Sequence, residues 1–299
     1  MRGEQVFPAV GRPIGHDGQM LTSTARRAED LITEKIRRDA ALPGSRRSLD
    51  VQTGHWGRVV ALRVPALAEL SPYNKARGVN EDDLSHLDAV TAFFGDAGID
   101  PTLEVWAGDA SDRLGAALAR RGLYAGAVTA TLHAHLDGPP AADPVTVGRV
   151  TVEELDPSDD GTGDGHTDYV ATLADGYGLT GARPAHLAML RGEHDPATVR
   201  RYLARVDGRP AAAASLYLHP QGALLSGAAT APRYRRHGCQ GALIGRRLSD
   251  AAALTDFAVA TVAFGSASQS NLERAGFRLT HTRTAWHPLR HEPADGLPR

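Results

Sequence analysis

The chain has 299 residues, enough for one large or two ordinary domains and a sizeable core. Its 33 Lys+Arg against 35 Asp+Glu leave a formal net charge of −2, which gives no electrostatic footprint for nucleic acid or an anionic membrane surface. A single cysteine excludes an internal disulfide and a cysteine-rich zinc site, and with no membrane-length apolar stretch and no long apolar core in Met1–Pro8, a cytoplasmic protein is expected.

In chain order, residues 18–40 are predicted as an amphipathic helix with Leu21, Ala25, Ala28, Leu31, Ile32 and Ile36 near one face. Pro43–Ser48 breaks it, and Arg58–Val64 reads as a strand. Asn80–Asp83 is expected to cap a helix carrying Leu84, Leu87, Val90, Phe93 and Phe94, ended by Gly98. Thr102–Ala107 is a strand, Ser111 caps a helix with Leu114, Ala117, Leu118 and Ala119, Gly122 stops that helix, and Ala127–His133 is a strand. Asp137–Pro144 is a linker by composition. Val145–Val152 then opens a second half as a strand. In the acidic stretch Asp156–Gly165, Asp156, Ser158, Asp160 and Gly161 fall in step with a calcium loop, but Thr167 stands where the bidentate Glu belongs and Pro157 disturbs the register; the reading is a solvated loop and no metal. Helices are predicted around Tyr169–Tyr177 and Pro184–Arg191, and strands Arg201–Val206 and Ala211–His219 flank the hairpin turn Asp207-Gly208. There follow a strand at Leu224–Ala229, a helix from Gly241, a strand at Ala258–Val262, a helix from Ser268 and a strand at Phe277–Thr284. The tail after Pro288 is polar and expected to be disordered.

The order strand, helix, strand, helix, strand thus occurs twice, and Arg120-Arg121-Gly122-Leu123 and Arg274-Ala275-Gly276-Phe277 occupy corresponding places. An internal duplication within the α/β class is expected, with halves 1–136 and 145–287, a linker at 137–144 and a tail at 288–299. The halves differ in one turn. In the second, Arg235-Arg236-His237-Gly238-Cys239-Gln240-Gly241 joins a buried strand to a helix, a geometry that aims backbone N–H groups and a helix dipole at one anion. Gly238 removes a Cβ where the backbone must approach that anion, and Arg235 and Arg236 add positive charge at the rim. The first half has Tyr73–Asn80 at the place read as equivalent, with one glycine and no following small residue.

Arg235-x-x-Gly238, followed by Gln240 and Gly241, resembles the acetyl-CoA signature of the GCN5-related N-acetyltransferases, and Ser268–Phe277 resembles the family's last helix and the Gly-Phe opening its last strand. The resemblance implies two tandem domains of that fold, the first degenerate and without coenzyme A. It implies that Ala228, Ala229 and Thr230 pair with the pantetheine arm and polarise the thioester, that residues Arg235, Arg236, His237, Gly238, Cys239, Gln240 and Gly241 hold the pyrophosphate, and that Asn271 sits near the pantetheine. The family often has a tyrosine acid where this chain has Leu272, so Ser270 or water is expected to protonate the thiolate. Candidate bases are Glu193, His194, Tyr217 and His219; His219 also reads as a solvated hairpin-tip residue, His194 as a helix C-terminal cation and Glu193 as a solvated helix residue. Tyr169 and Tyr177 line an acceptor pocket or simply pack; His55, Trp56 and Trp106 read as core or surface groups, and Cys239 as structural. The expectation is a monomeric or homodimeric acetyl-CoA-dependent transferase acting on a small-molecule amine, independent of nucleic acid and membrane. The alternatives are an aminoacyl-tRNA-dependent transferase of the same fold and a non-catalytic acyl-CoA-binding regulator.

Overall fold

A computed structural model describes residues 16–41, 49–137, 148–156, 163–179, 181, 183–192 and 198–289. The linker expected at 137–144 beyond its first residue, most of the acidic stretch, the breaker at 43–48, the tail beyond 289, and both Glu193 and His194 lie outside the described residues, whereas Pro288, read as the start of the tail, ends strand β11.

Eleven strands form one sheet. From the first half come β1 (Gln52–Trp56), β2 (Val59–Arg63), β3 (Lys75–Arg77), β4 (Thr102–Trp106) and β5 (Leu123–His135). From the second come β6 (Val150–Glu154), β7 (Val199–Val206), β8 (Arg209–His219), β9 (Gly222–Thr230), β10 (Phe257–Ala263) and β11 (Arg278–Pro288). The described helices are α1 (His16–Ala41), α2 (Leu87–Gly95), α3 (Asp112–Ala119), α4 (Asp164–Gly176), α5 (Pro184–Gly192), α6 (Cys239–Ala252) and α7 (Ala267–Arg274). The spatial strand order is β1-β2-β3-β4-β11-β5-β10-β9-β8-β7-β6.

The two halves share a pairing pattern. β1–β2–β3 and β7–β8–β9 are antiparallel runs, and β3–β4 and β9–β10 are the matching parallel pairs. The last strand of each half then crosses over. β11 lies between β4 and β5, and β5 lies between β11 and β10, all antiparallel. Each β-α-β crossover, β4-α3-β5 and β10-α7-β11, therefore straddles a slot that the other half fills. Neither half completes its own sheet.

Local chemistry sets the ends. Ser111 accepts a hydrogen bond from the Leu114 N–H at 3.1 Å and starts α3; Gly122, at φ +72°, ends that segment. The Asp207-Gly208 turn has φ of +49° and +76°, the twist-matched hairpin geometry. The expected cap of α2 is different. Leu84–His86 forms a 3₁₀ turn first, and neither Asp83 nor His86 caps with its side chain. Asn80 and Asp83 bond to each other at 2.6 Å, and Asp83 accepts from the Arg58 N–H at 2.9 Å, so their side chains tie the β1–β2 turn instead.

Helix α1 crosses the junction. Ala28, Leu31 and Ile32 pack with Tyr217, Leu224, Phe257 and Val259 of the second half. On the same helix, Glu29 pairs with Arg77 of β3 at 2.7 Å, Arg283 of β11 at 2.5 Å and His281 at 2.7 Å. Glu104 of β4 pairs with Arg77 at 2.6 Å, Lys75 at 3.2 Å and Arg283 at 3.5 Å. Burial alone would raise the Glu104 pKa; Lys75, Arg77 and Arg283 outweigh it and hold it at about 2. Glu29 is lowered in the same way, burial being overcome by Arg77, Arg283 and the His281 hydrogen bond.

Removing one member of such a buried cluster strands its partners, at a cost of roughly 3–5 kcal/mol. Glu29→Gln should lower the free energy of urea unfolding by about that much at neutral pH. Both carboxylates are depressed from an ordinary value of 4.5, so their contribution is complete above that pH and fades as pH falls toward 2. The urea midpoint of the wild type should drop through that window and that of Glu29→Gln should drop less; parallel curves would show that the cluster does not stabilise the fold.

Candidate functional site

Strand β9 bonds β8 along its length but pairs with β10 only through Ala223–Ala258, Leu224–Val259 and Leu225–Ala260. Beyond Leu225 the two parallel strands part, because β10 stays in register with β5 to Ala263–Thr129 while β9 turns away with β8. The turn has a definite cause. Ala213 faces Ala229 and Ser215 faces Ser226, so Gly227 and Ala228 bulge against the single residue Ala214. Gly227 has φ +54°, and a Cβ there would meet the Ser215 Oγ at 2.8 Å. The Ala231 N–H donates to the Ala211 carbonyl at 2.9 Å. Strand alternation then turns the Thr230 peptide groups into the wedge vacated by β10.

A buried cation pins the bulge. Arg247 of α6 is 2 % exposed; its Nε donates to Leu243 O at 3.0 Å, and its Nη1 to Ser215 O at 3.1 Å and Ser226 O at 3.4 Å. Its hydrogen-bond acceptors are these backbone carbonyls. Burial pushes its pKa down to about 10, which leaves it charged at neutral pH. The sequence reading missed Arg247, although it lies four residues after Leu243 and four before Ala251, in the buried stripe of α6.

After Thr230 the chain makes a 3₁₀ turn at Pro232–Tyr234, then places Arg236 at φ +67° and Gly238 at φ +84° before α6 begins. No side chain caps α6 and its first turn carries no acid, so the N-terminal amides present an uncompensated positive end. Arg235, Arg236, His237, Gly238 and Gly241 are exposed around it, and Gln240 is half-buried. A Cβ added at Gly238 or Gly241 would meet nothing within 4 Å, so the space before these amides is open. His237 Nδ1 lies 3.0 Å from Arg235 O and its ring stands edge-on to Tyr234, which steadies the turn. Cys239 differs from its neighbours: its side chain is buried in the core and burial raises its thiol pKa, so only its backbone faces the turn.

Helix α7 lies against β10 and α6. Asn271 is half-buried and accepts from Arg274 at 2.6 Å; Ser270 is exposed; Leu272 is 4 % exposed and turned into the core. From the opposite side α4 crosses β9 closely, since a Cβ on Gly176 would meet the Ala229 Cβ at 2.6 Å. Tyr177 follows at the exposed end of α4, whereas Tyr169 is fully buried in the core. The other aromatic and histidine candidates do not gather here. His219 faces Gly222 at the hairpin end of β9, roughly 13 Å along the strand from Ser226 at ~3.3 Å per residue. Tyr217 is buried beneath α1; Trp56 packs on Phe93 in the first half, Trp106 packs on His281 of β11, and His55 is exposed on edge strand β1.

The first half has no such turn. Residues 75–77 of the stretch read as its equivalent are strand β3, and the topological counterpart is the connection 78–86 leading to α2. It carries Glu81, Asp82 and Asp83, and the Asn80 side chain accepts from the Asp82 N–H at 2.8 Å. This connection carries three carboxylates and no Lys or Arg. Among the described residues no group of three or more His, Cys, Asp or Glu is placed to hold a metal, and no helix is long and apolar enough to cross a membrane.

Removing Arg247 leaves two strand carbonyls unsatisfied at the bulge. Arg247→Met should cost about 2–6 kcal/mol in urea unfolding, at ~1–3 kcal/mol per stranded group. A change below about 0.5 kcal/mol, within the range of ordinary surface substitutions, would show that the bulge stands without it.

No protein-family model matches the sequence, and no curated protein does. Solved structures do. A GCN5-related N-acetyltransferase from Kribbella flavida aligns over 91 % of this chain and 97 % of its own, with a TM-score of 0.58 and 16 % identity. One from Sphaerobacter thermophilus aligns over 77 % and 79 %, with a TM-score of 0.52 and 12 % identity. A tandem protein of this type from the clavulanic acid biosynthesis pathway aligns over 95 % and 98 %, with a TM-score of 0.50 and 15 % identity. The chain has the fold of the GCN5-related N-acetyltransferases.

Proposed function

We propose that this protein transfers an acetyl group from acetyl-CoA to the amine of a small molecule, and that only its second half does so. The observation that carries the reading is the wedge between β9 and β10 opening beside an uncapped helix N-terminus rimmed by Arg235 and Arg236. The amides of α6 suit a pyrophosphate; the Thr230 peptide suits an amide-bearing pantetheine arm laid along the wedge. Ala228, Ala229, Gln240 and Asn271 border the same space in this reading.

The reaction needs little from side chains. A neutral amine attacks the thioester carbonyl; the C–N bond forms, the C–S bond breaks, and the amine sheds one proton. A backbone N–H in the wedge would hold the developing oxyanion, and the Arg247 charge behind the bulge would favour it. The thiolate is a good leaving group with a pKa near that of cysteine, about 8.5, so Ser270 or water suffices as its acid. Leu272, buried in the core, supplies none. That same feature favours a second reading, an acyl-CoA-binding regulator without turnover. Assay of acetyl-CoA consumption across a panel of small amines separates them: binding without turnover on any amine would establish the regulator.

Calorimetry should find one coenzyme A per chain, and Arg235→Glu/Arg236→Glu should weaken it at least tenfold, the difference shrinking as salt screens the exposed charges. Two equivalents per chain, or unchanged affinity in the double variant, would displace the site from this turn. The rate should rise with pH through the amine ionisation, and Ser270→Ala should lose less than tenfold in kcat. A thousandfold loss in a folded, coenzyme-binding variant would make Ser270 the dedicated acid.

A further inference from the structure

A cavity of about 220 Å³ lies where the halves meet. Its walls are mostly apolar: Ile32 and Ile36 of α1, Leu62 and Val64 at β2, and Met189 of α5, and they include Ser226, the last residue of β9 before the bulge. Both halves and α1 contribute to its walls. It is too small for a peptide loop and suits a small molecule.

Its polar groups are few. Lys35 pairs with Asp39 on α1, leaving that pair neutral. Lys75 is different. It shares Glu104 with Arg77 and Arg283, while Glu29 is already held by Arg77, Arg283 and His281. Three basic side chains, Lys75, Arg77 and Arg283, thus stand around two carboxylates, and Lys75 is the member of the cluster that lines the cavity. Its side chain is 19 % exposed, and burial, partly offset by Glu104, lowers its pKa. An anion beside such a group favours its charged form and offsets the burial.

We propose that this cavity between the halves is the acceptor pocket and takes a small amine bearing an apolar body and a carboxylate, the carboxylate against Lys75 and the amine toward Ser226. The proposal rests on the acetyl-transfer reading above. It gives the first half a function without a coenzyme site of its own: it supplies β2 and Lys75 to the pocket wall.

The test uses matched probes on the full chain without acetyl-CoA, by calorimetry: phenylalanine against phenethylamine, and leucine against 3-methylbutylamine. The carboxylated member of each pair should bind at least tenfold more tightly to the wild type and to Lys75→Arg, and the ratio should fall near one in Lys75→Gln. Equal affinity within each pair for the wild type, tighter binding of the bare amine, no binding of any probe, or a ratio unchanged in Lys75→Gln would overturn the proposal; the wild-type comparison decides even if Lys75→Gln does not fold. Acetylation of the bound probe is then measured separately. Carboxylate-dependent binding with no acetyl transfer would leave the pocket standing and remove the acetyltransferase reading, whereas turnover of amines that ignore Lys75 would do the reverse.

Discussion

The antiparallel pairing of β5 with β11 is the constraint on which the architecture depends. These are the final strands of the two halves, and each is inserted into the slot left by the other's β-α-β crossover. The pairing makes one sheet of two repeats and draws charged residues of β3, β4 and β11 into contact beneath α1. Glu29 and Glu104 are shared among their cations, so the ion pairs act as a network and not as separable bridges. A network of this kind specifies how α1 lies across the junction, and α1 in turn roofs the second half's strands with Leu31 and Ile32.

The site arises from a conflict between two neighbours of β9. β10 is held by β5, an element of the other half, whereas β9 follows β8 through a bulge. A flat continuous pairing would close the wedge. Gly227 permits the bulge and Arg247 holds it open from behind, satisfying the carbonyls that the bulge leaves. The buried charge therefore has a structural duty that places it behind the bulge at the mouth of the wedge, in surroundings where its field is little screened.

The repeats have diverged in charge at equivalent positions. The connection after β9 offers arginines and an uncapped helix; the connection after β3 offers Glu81, Asp82 and Asp83, locked by Asn80 and the Arg58 amide. The two connections thus differ in electrostatic character, one basic and one acidic.

The sequence by itself determined most of the longer helices and strands, the Asp207-Gly208 hairpin, the Ser111 cap and the basic turn before α6, because these depend on period, propensity and residues adjacent in the chain; it missed the short strands β1 and β3, and so matched β2 rather than β3 to β9. It also misplaced what depends on partners. The Asn80–Asp83 cap went to the β1–β2 turn because Arg58 offered an amide 25 residues away. Cys239, read as structural, and Leu272, read as no acid, both face the core, a placement set by helical phase relative to the sheet. Strand exchange, the bulge, the burial of Arg247 and the cavity at Lys75 were decided by the tertiary structure alone. Each needs residues from segments far apart in the chain to meet, and local sequence carries no record of which antiparallel strand another will choose as its neighbour.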